Sequence, residues 1–133
     1  MNAPVARVWK AITDQVSSWW LPAYHTLGDG SIITLEANAG GRLFEKNGTK
    51  ELLWYTVLAV EPERSITLAG YISPKYGGPA TTMLELSVVS EGNQTRLDIS
   101  DALFGTVSDG LARSLHSGWK ELFTEGLKTF VEK

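Results

Sequence analysis

The sequence predicts an α+β domain in which an antiparallel meander of six strands lies between two short N-terminal helices and one long C-terminal helix. Three observations carry this. Apolar residues recur at helical spacing at both ends of the chain. From Ser31 onward, short apolar runs alternate with turn residues at strand length. The links between those runs are short, which favours antiparallel neighbours over crossovers.

The first helix begins at "NAPVARVWKAITD". Pro4 suits a first helical position, and Val5, Val8, Trp9 and Ile12 follow at i, i+3, i+4 and i+7. "QVSSWWLP" reads as a second short helix stopped before Pro22. "AYHTLGDG" is a connector. Strands are expected near 32–37, 41–47, 51–61, 65–72, 80–90 and 94–103. The Asn-Gly pair in "KNGTK" is a strong hairpin signal; "EPER" and "SEGNQ" turn the chain again, and "SPKYGGP" is a longer loop. Leu84, Leu86 and Val88 share one face of their strand; Leu97, Ile99, Asp101 and Leu103 share one face of the next. "ELLWYTVLAV" is apolar on both faces, so its strand is expected to be covered twice or to join an interface. The last segment, about 107–132, is the long helix. Leu111, Leu115, Trp119, Leu122, Phe123 and Phe130 form its apolar stripe, with Gly126 near the middle and Gly118 and His116 at the edges. A glycine inside a helix costs about 1 kcal/mol against alanine. Two readings of Gly126 stay open: close approach of backbone, or space left empty.

The length of 133 residues suits one domain, 1–133, with one core. The chain has no cysteine, which rules out disulfides and zinc–thiolate sites. Its two histidines have no metal-ligand spacing, and "GGRLFE" has no phosphate-cradling pattern, so neither metal nor cofactor is expected. A net charge of −3 with no basic run argues against nucleic acid. No stretch approaches about 20 apolar residues, so no membrane insertion is expected, and a soluble, cytoplasmic protein is the reading. Five tryptophans raise the prospect of a large aromatic-lined interior.

The ordered set "APVARVWKAITD", "WW", "GGRLFE", "VLAVEPERSITL", "TTMLELSVVSEGNQTRLDISDALF" and "GWKELFTEGLKTFVE" resembles the homologues of the activator of heat-shock-chaperone ATPase. These are START-like proteins of the birch-pollen-allergen-like superfamily. The resemblance implies a helix-grip fold, with a curved antiparallel sheet wrapped around the C-terminal helix. It also implies an apolar cavity between the two that takes lipids, polyketides or other flat hydrophobic molecules. Such proteins normally have a strand before the first helix, whereas only "MNA" precedes Pro4 here. Either the natural start lies upstream or the sheet lacks that edge strand. In the second case a bare edge is expected to pair with a second copy, giving a homodimer.

Among residues able to do chemistry, Asp101 stands out, because alternation turns it inward with Leu97, Ile99 and Leu103. A buried carboxylate has a raised pKa, which is how a general acid or base is made. His116, Tyr71 and Arg42 are its candidate partners; a bulge turning it out to water is the competing reading. His116 borders the helix stripe and is the other acid–base candidate, and Glu45 shares parity with inward Leu43. Trp19, Trp20, Trp54, Tyr55, Tyr71, Trp119 and Phe123 are candidates for lining a pocket or for plain core, and Gly126 for widening it. The favoured function is a non-enzymatic carrier or sensor of a hydrophobic small molecule. The alternatives are cyclase or dehydratase chemistry on a polyketide-like substrate through Asp101 or His116, and a protein-interaction module acting on a heat-shock chaperone.

Overall fold

The computed structural model describes residues 1–133. Helix α1 (Val5–Asp14) follows Pro4, whose extended backbone stands at the N-cap, and it buries Val8, Ala11 and Ile12. A four-residue helix, α2 (Val16–Trp19), and a tight turn at Pro22–Tyr24 follow. The sheet then runs β1 (Ile32–Leu35), β2 (Arg42–Asn47), β3 (Lys50–Glu61), β4 (Ser65–Ile72), β5 (Ala80–Glu91) and β6 (Gln94–Gly105). Its spatial order is the chain order, every pair is antiparallel, and the sheet is curved. This is the helix-grip arrangement. Every expected strand is present. The Asn47–Gly48 turn joins β2 to β3, with Asn47 paired to Lys50 and Gly48 at φ +63°.

The chain ends in α3 (Asp109–Glu121), a π-helical stretch (Leu122–Lys128) and a last helical turn, α4 (Thr129–Val131). Ser108 caps α3 by accepting the Leu111 N–H at 3.0 Å. The widened turns shift the apolar stripe away from straight helical spacing. Leu122, Phe123, Gly126, Leu127 and Val131 are buried, and Phe130, expected in the stripe, is half-buried under Arg7. The two halves of this rod are unequal. In α3 only Trp119 is buried, whereas the following turns pack into the core. The N-terminal half therefore stands off the sheet, while the C-terminal half is clamped to it.

Residues 1–3 pair with the start of β6. The Met1 amino group donates to the Thr95 carbonyl at 2.7 Å, and the Thr95 N–H donates to the Met1 carbonyl at 3.0 Å. The buried Thr95 hydroxyl donates to the Ala3 carbonyl at 2.8 Å. "MNA" thus covers the first residues of the β6 edge, and no strand lies outside β6 beyond that point.

The strand that is apolar on both faces is not covered twice, since Leu53 and Leu58 are half-exposed, and part of its pattern comes from a bulge. Leu43 pairs with Tyr55 but Phe44 pairs with Leu53, so Trp54 is the extra residue. Instead of alternating, Trp54 and Tyr55 are both delivered to the concave side. A second shift between Val57 and Ala59 leaves Leu58 on the outer surface.

Candidate functional site

A cavity of about 300 Å³ lies where α3 stands off the sheet. Its walls come from Leu52–Tyr55 on β3, Tyr71 and Ile72 at the end of β4, Tyr76 in the turn between β4 and β5, Thr82 on β5, and Leu111, Leu115, Gly118 and Trp119 on the helix. Trp20, Tyr24 and Thr26 close the remaining side. Trp119 marks the boundary between hollow and packed core. Its ring stacks on Phe123 at 5.7 Å and meets Tyr55 at 5.9 Å and the edge of Trp20 at 6.4 Å. Beyond it, Trp19 and Phe123 belong to the packed end, where a void of only about 30 Å³ remains.

Of the residues expected to line a pocket, Trp20, Trp54, Tyr55, Tyr71 and Trp119 do so. Tyr71 does so at the mouth, with most of its surface exposed. Trp19, Glu45, Asp101, His116, Phe123 and Gly126 do not. His116 is exposed on the outer side of α3, so the expectation of a ring nitrogen in the cavity is corrected. Gly126 is also corrected. A β-carbon there would lie 2.5 Å from the Trp19 carbonyl oxygen, so the missing side chain admits backbone and creates no space. Gly118 is the glycine that faces the cavity, with the Tyr24 ring 3.4 Å from where a β-carbon would sit.

Asp101 does point inward, opposite buried Leu84. Its partners are neither His116, Tyr71 nor Arg42. One oxygen accepts from the Thr82 hydroxyl and the other from the Trp119 indole N–H at 3.2 Å. Burial raises its pKa, and these two donors oppose the rise. Thr82 in turn contacts the Tyr55 hydroxyl at 3.1 Å. Tyr55 reaches Thr82 from two strands away because Gly70 lies between them. Its missing β-carbon would sit 3.0 Å from the Tyr55 ring. Burial pushes the Tyr55 phenol well above its ordinary pKa, so it is neutral at physiological pH. The carboxylate therefore sits behind the cavity wall, and Thr82 and Trp119 stand between it and the hollow.

Glu45 is inward as parity suggested, yet it is structural. Although fully buried, it accepts from Thr26 N–H at 3.1 Å, Leu27 N–H at 2.9 Å, Ser31 hydroxyl at 2.7 Å and Trp54 indole at 3.3 Å. Burial alone would raise its pKa; these hydrogen bonds outweigh that and hold it below the ordinary glutamate value. Ser31, having given its proton to Glu45, accepts from His25 Nδ1 at 2.6 Å. Asn47 adds bonds to the Leu27 and Asp29 carbonyls, each at 3.0 Å. Together they fasten the 25–31 connector, one lip of the cavity, to the sheet.

The wall residues that sequence reasoning did not place at the site include Tyr24, Tyr76, Thr82, Leu111 and Gly118. Thr82 was within reach, since it shares parity with Leu84, Leu86 and Val88. Tyr24 and Tyr76 sit in Pro-led turns, where no periodicity exists to show a direction. No cluster of three or more potential metal ligands is present, and no helix is long and apolar enough to cross a membrane.

Comparison with known proteins agrees with this architecture. No curated protein sequence matches the chain. Among solved structures, protein MLL2253 from Mesorhizobium loti superposes with a TM-score of 0.69 at 16% identity, covering 99% of this chain and 91% of that one. CV1439 from Chromobacterium violaceum gives 0.69 at 17% identity, covering 100% and 92%. CalU16 from Micromonospora echinospora gives 0.65 at 23% identity, covering 98% and 71%. These likenesses establish the fold. The family described as "Activator of Hsp90 ATPase homolog 1-like protein" matches residues 2–132, nearly the whole length. The chain is therefore a START-like protein belonging to the activator of Hsp90 ATPase homolog 1-like family.

Proposed function

We propose that this protein binds an apolar small molecule between the sheet and α3, as a carrier or sensor. Membership of the family is consistent both with ligand binding and with activator-like protein contact. The observation that favours the first is the cavity of about 300 Å³, in which thirteen of seventeen lining residues are hydrophobic. That size and lining suit a small organic ligand. Burial of its apolar surface would supply about 25 cal/mol per Å². The wall carries no cysteine, histidine, lysine or carboxylate able to touch a bound molecule directly. Asp101 lies one residue deep and His116 faces away, so an acid–base role for either has no direct path to a substrate.

The test is binding of N-phenyl-1-naphthylamine, an uncharged fluorophore that brightens in apolar surroundings. The native protein is expected to bind it, and Leu115→Trp, which adds bulk from the helix wall, to weaken binding by at least about tenfold. Retained binding in a folded Leu115→Trp protein would place the probe elsewhere and defeat the proposal.

A further inference from the structure

The polar atoms around the cavity have an unusual bias in direction. An indole N–H can only donate, and each of the three indoles in the wall donates away from the hollow. Trp20 gives its proton to the Tyr24 carbonyl at 3.0 Å, Trp54 to Glu45, and Trp119 to Asp101. Two of the wall hydroxyls do the same: Tyr24 gives its proton to Glu121 and Thr82 to Asp101. Asp101 accepts on both oxygens, from the Thr82 hydroxyl and from the Trp119 indole, so Thr82 spends its single proton there. Thr82 can then only accept from Tyr55, and the Tyr55 proton is also committed. Tyr55, a lining residue, is left with an acceptor oxygen beside the Trp119 indole and nothing to donate. No cation lines the cavity to balance an anion, and the Asp101 charge lies just behind it.

We propose that the cavity selects a neutral, largely apolar molecule that brings its own hydrogen-bond donor, a hydroxyl or N–H, to the Tyr55 oxygen. The proposal rests on the cavity reading above and narrows it. A fatty-acid-like carboxylate is excluded for want of a counter-charge, and a molecule whose polar groups are only ethers or ketones gains nothing from the deep wall.

The test compares four probes of one shape by calorimetry or tryptophan quenching at pH 7: naphthalene, 2-naphthol, 2-methoxynaphthalene and 2-naphthoate. The expected result is 2-naphthol binding about fivefold or more tighter than naphthalene, the scale of one neutral hydrogen bond. Methoxynaphthalene should match naphthalene, and naphthoate should bind weakest. Tyr55→Phe should bring the naphthol-to-naphthalene ratio to about one. Asp101→Asn should reverse the relay. Its carbonyl accepts from Trp119, its amide donates to Thr82, and Thr82 then donates to Tyr55. Tyr55 can then offer its proton to the cavity, so the naphthol preference over methoxynaphthalene should collapse to about one. Binding of naphthalene with no naphthol preference, or with naphthoate bound best, overturns this inference and leaves the cavity reading standing. Failure of all four probes to bind overturns both.

Discussion

Gly118 and Gly126 lie on the same side of one helix and respond to a methyl group in opposite ways. At Gly126 the new carbon would meet the Trp19 carbonyl oxygen at 2.5 Å, and that oxygen belongs to a backbone fixed by α2. Gly126→Ala should therefore cost about 1–3 kcal/mol, as overpacking does, despite the better helix propensity of alanine. At Gly118 the nearest atom is a Tyr24 ring carbon at 3.4 Å, an ordinary contact, and the rest is cavity. Gly118→Ala should stabilise by up to about 1 kcal/mol, or roughly 3–5 °C in Tm. Thermal melts of the two variants check this; shifts of the same sign would contradict the assignment. On the helical wheel Gly126 falls near the middle of the apolar stripe and Gly118 at its edge, but only the neighbour across the gap separates close packing from open space.

The elements were more legible than their irregularities. All six strands, the Asn-Gly hairpin and the long helix follow from alternation, turn chemistry and helical period, because those signals are local. The bulge at Trp54 and the π-helical stretch at Leu122–Lys128 were not. A bulge depends on the partner strand's register, and a widened helix on what it must pack against; neither is written in a single segment. Both bear on the site, since the bulge supplies two wall residues and the π turns follow directly on the Trp119 boundary. The Tyr55 relay also depends on an element-level fit, the bare track over β4 at Gly70. A β-carbon there would sit 2.6 Å from the Trp54 carbonyl and 3.0 Å from the Tyr55 ring. Gly70→Ala should push the bulge and ring outward, at a cost of about 1–3 kcal/mol. Urea unfolding measures this cost. A variant as stable as the native protein would mean that the β3–β4 contact yields freely.

At the scale of the whole molecule, two inward carboxylates give stability opposite dependences on pH. Glu45 has a folded pKa below its ordinary value, so it contributes stability above that value and loses it as pH falls through the folded one. Asp101 has a folded pKa above its ordinary value. Its contribution is full when protonated and is lost as pH rises through the folded pKa, so acidification regains it. Acid should thus loosen the lip that Glu45 fastens while relieving the strain of a charge behind the cavity wall. Glu45→Gln cannot satisfy four donors, since its amide would face an N–H, and should cost about 2–4 kcal/mol at pH 7. Its stability should then fall less than the native protein's between pH 7 and pH 3. Asp101→Asn loses the gain on acidification and should fall more steeply over the same interval. Urea midpoints of the three proteins at pH 7 and pH 3 read out both slopes together. Glu45→Gln falling as steeply as the native protein would show that other carboxylates govern its acid response. Asp101→Asn falling less steeply would show that its charge is stabilised in the fold, the reverse of what its burial implies.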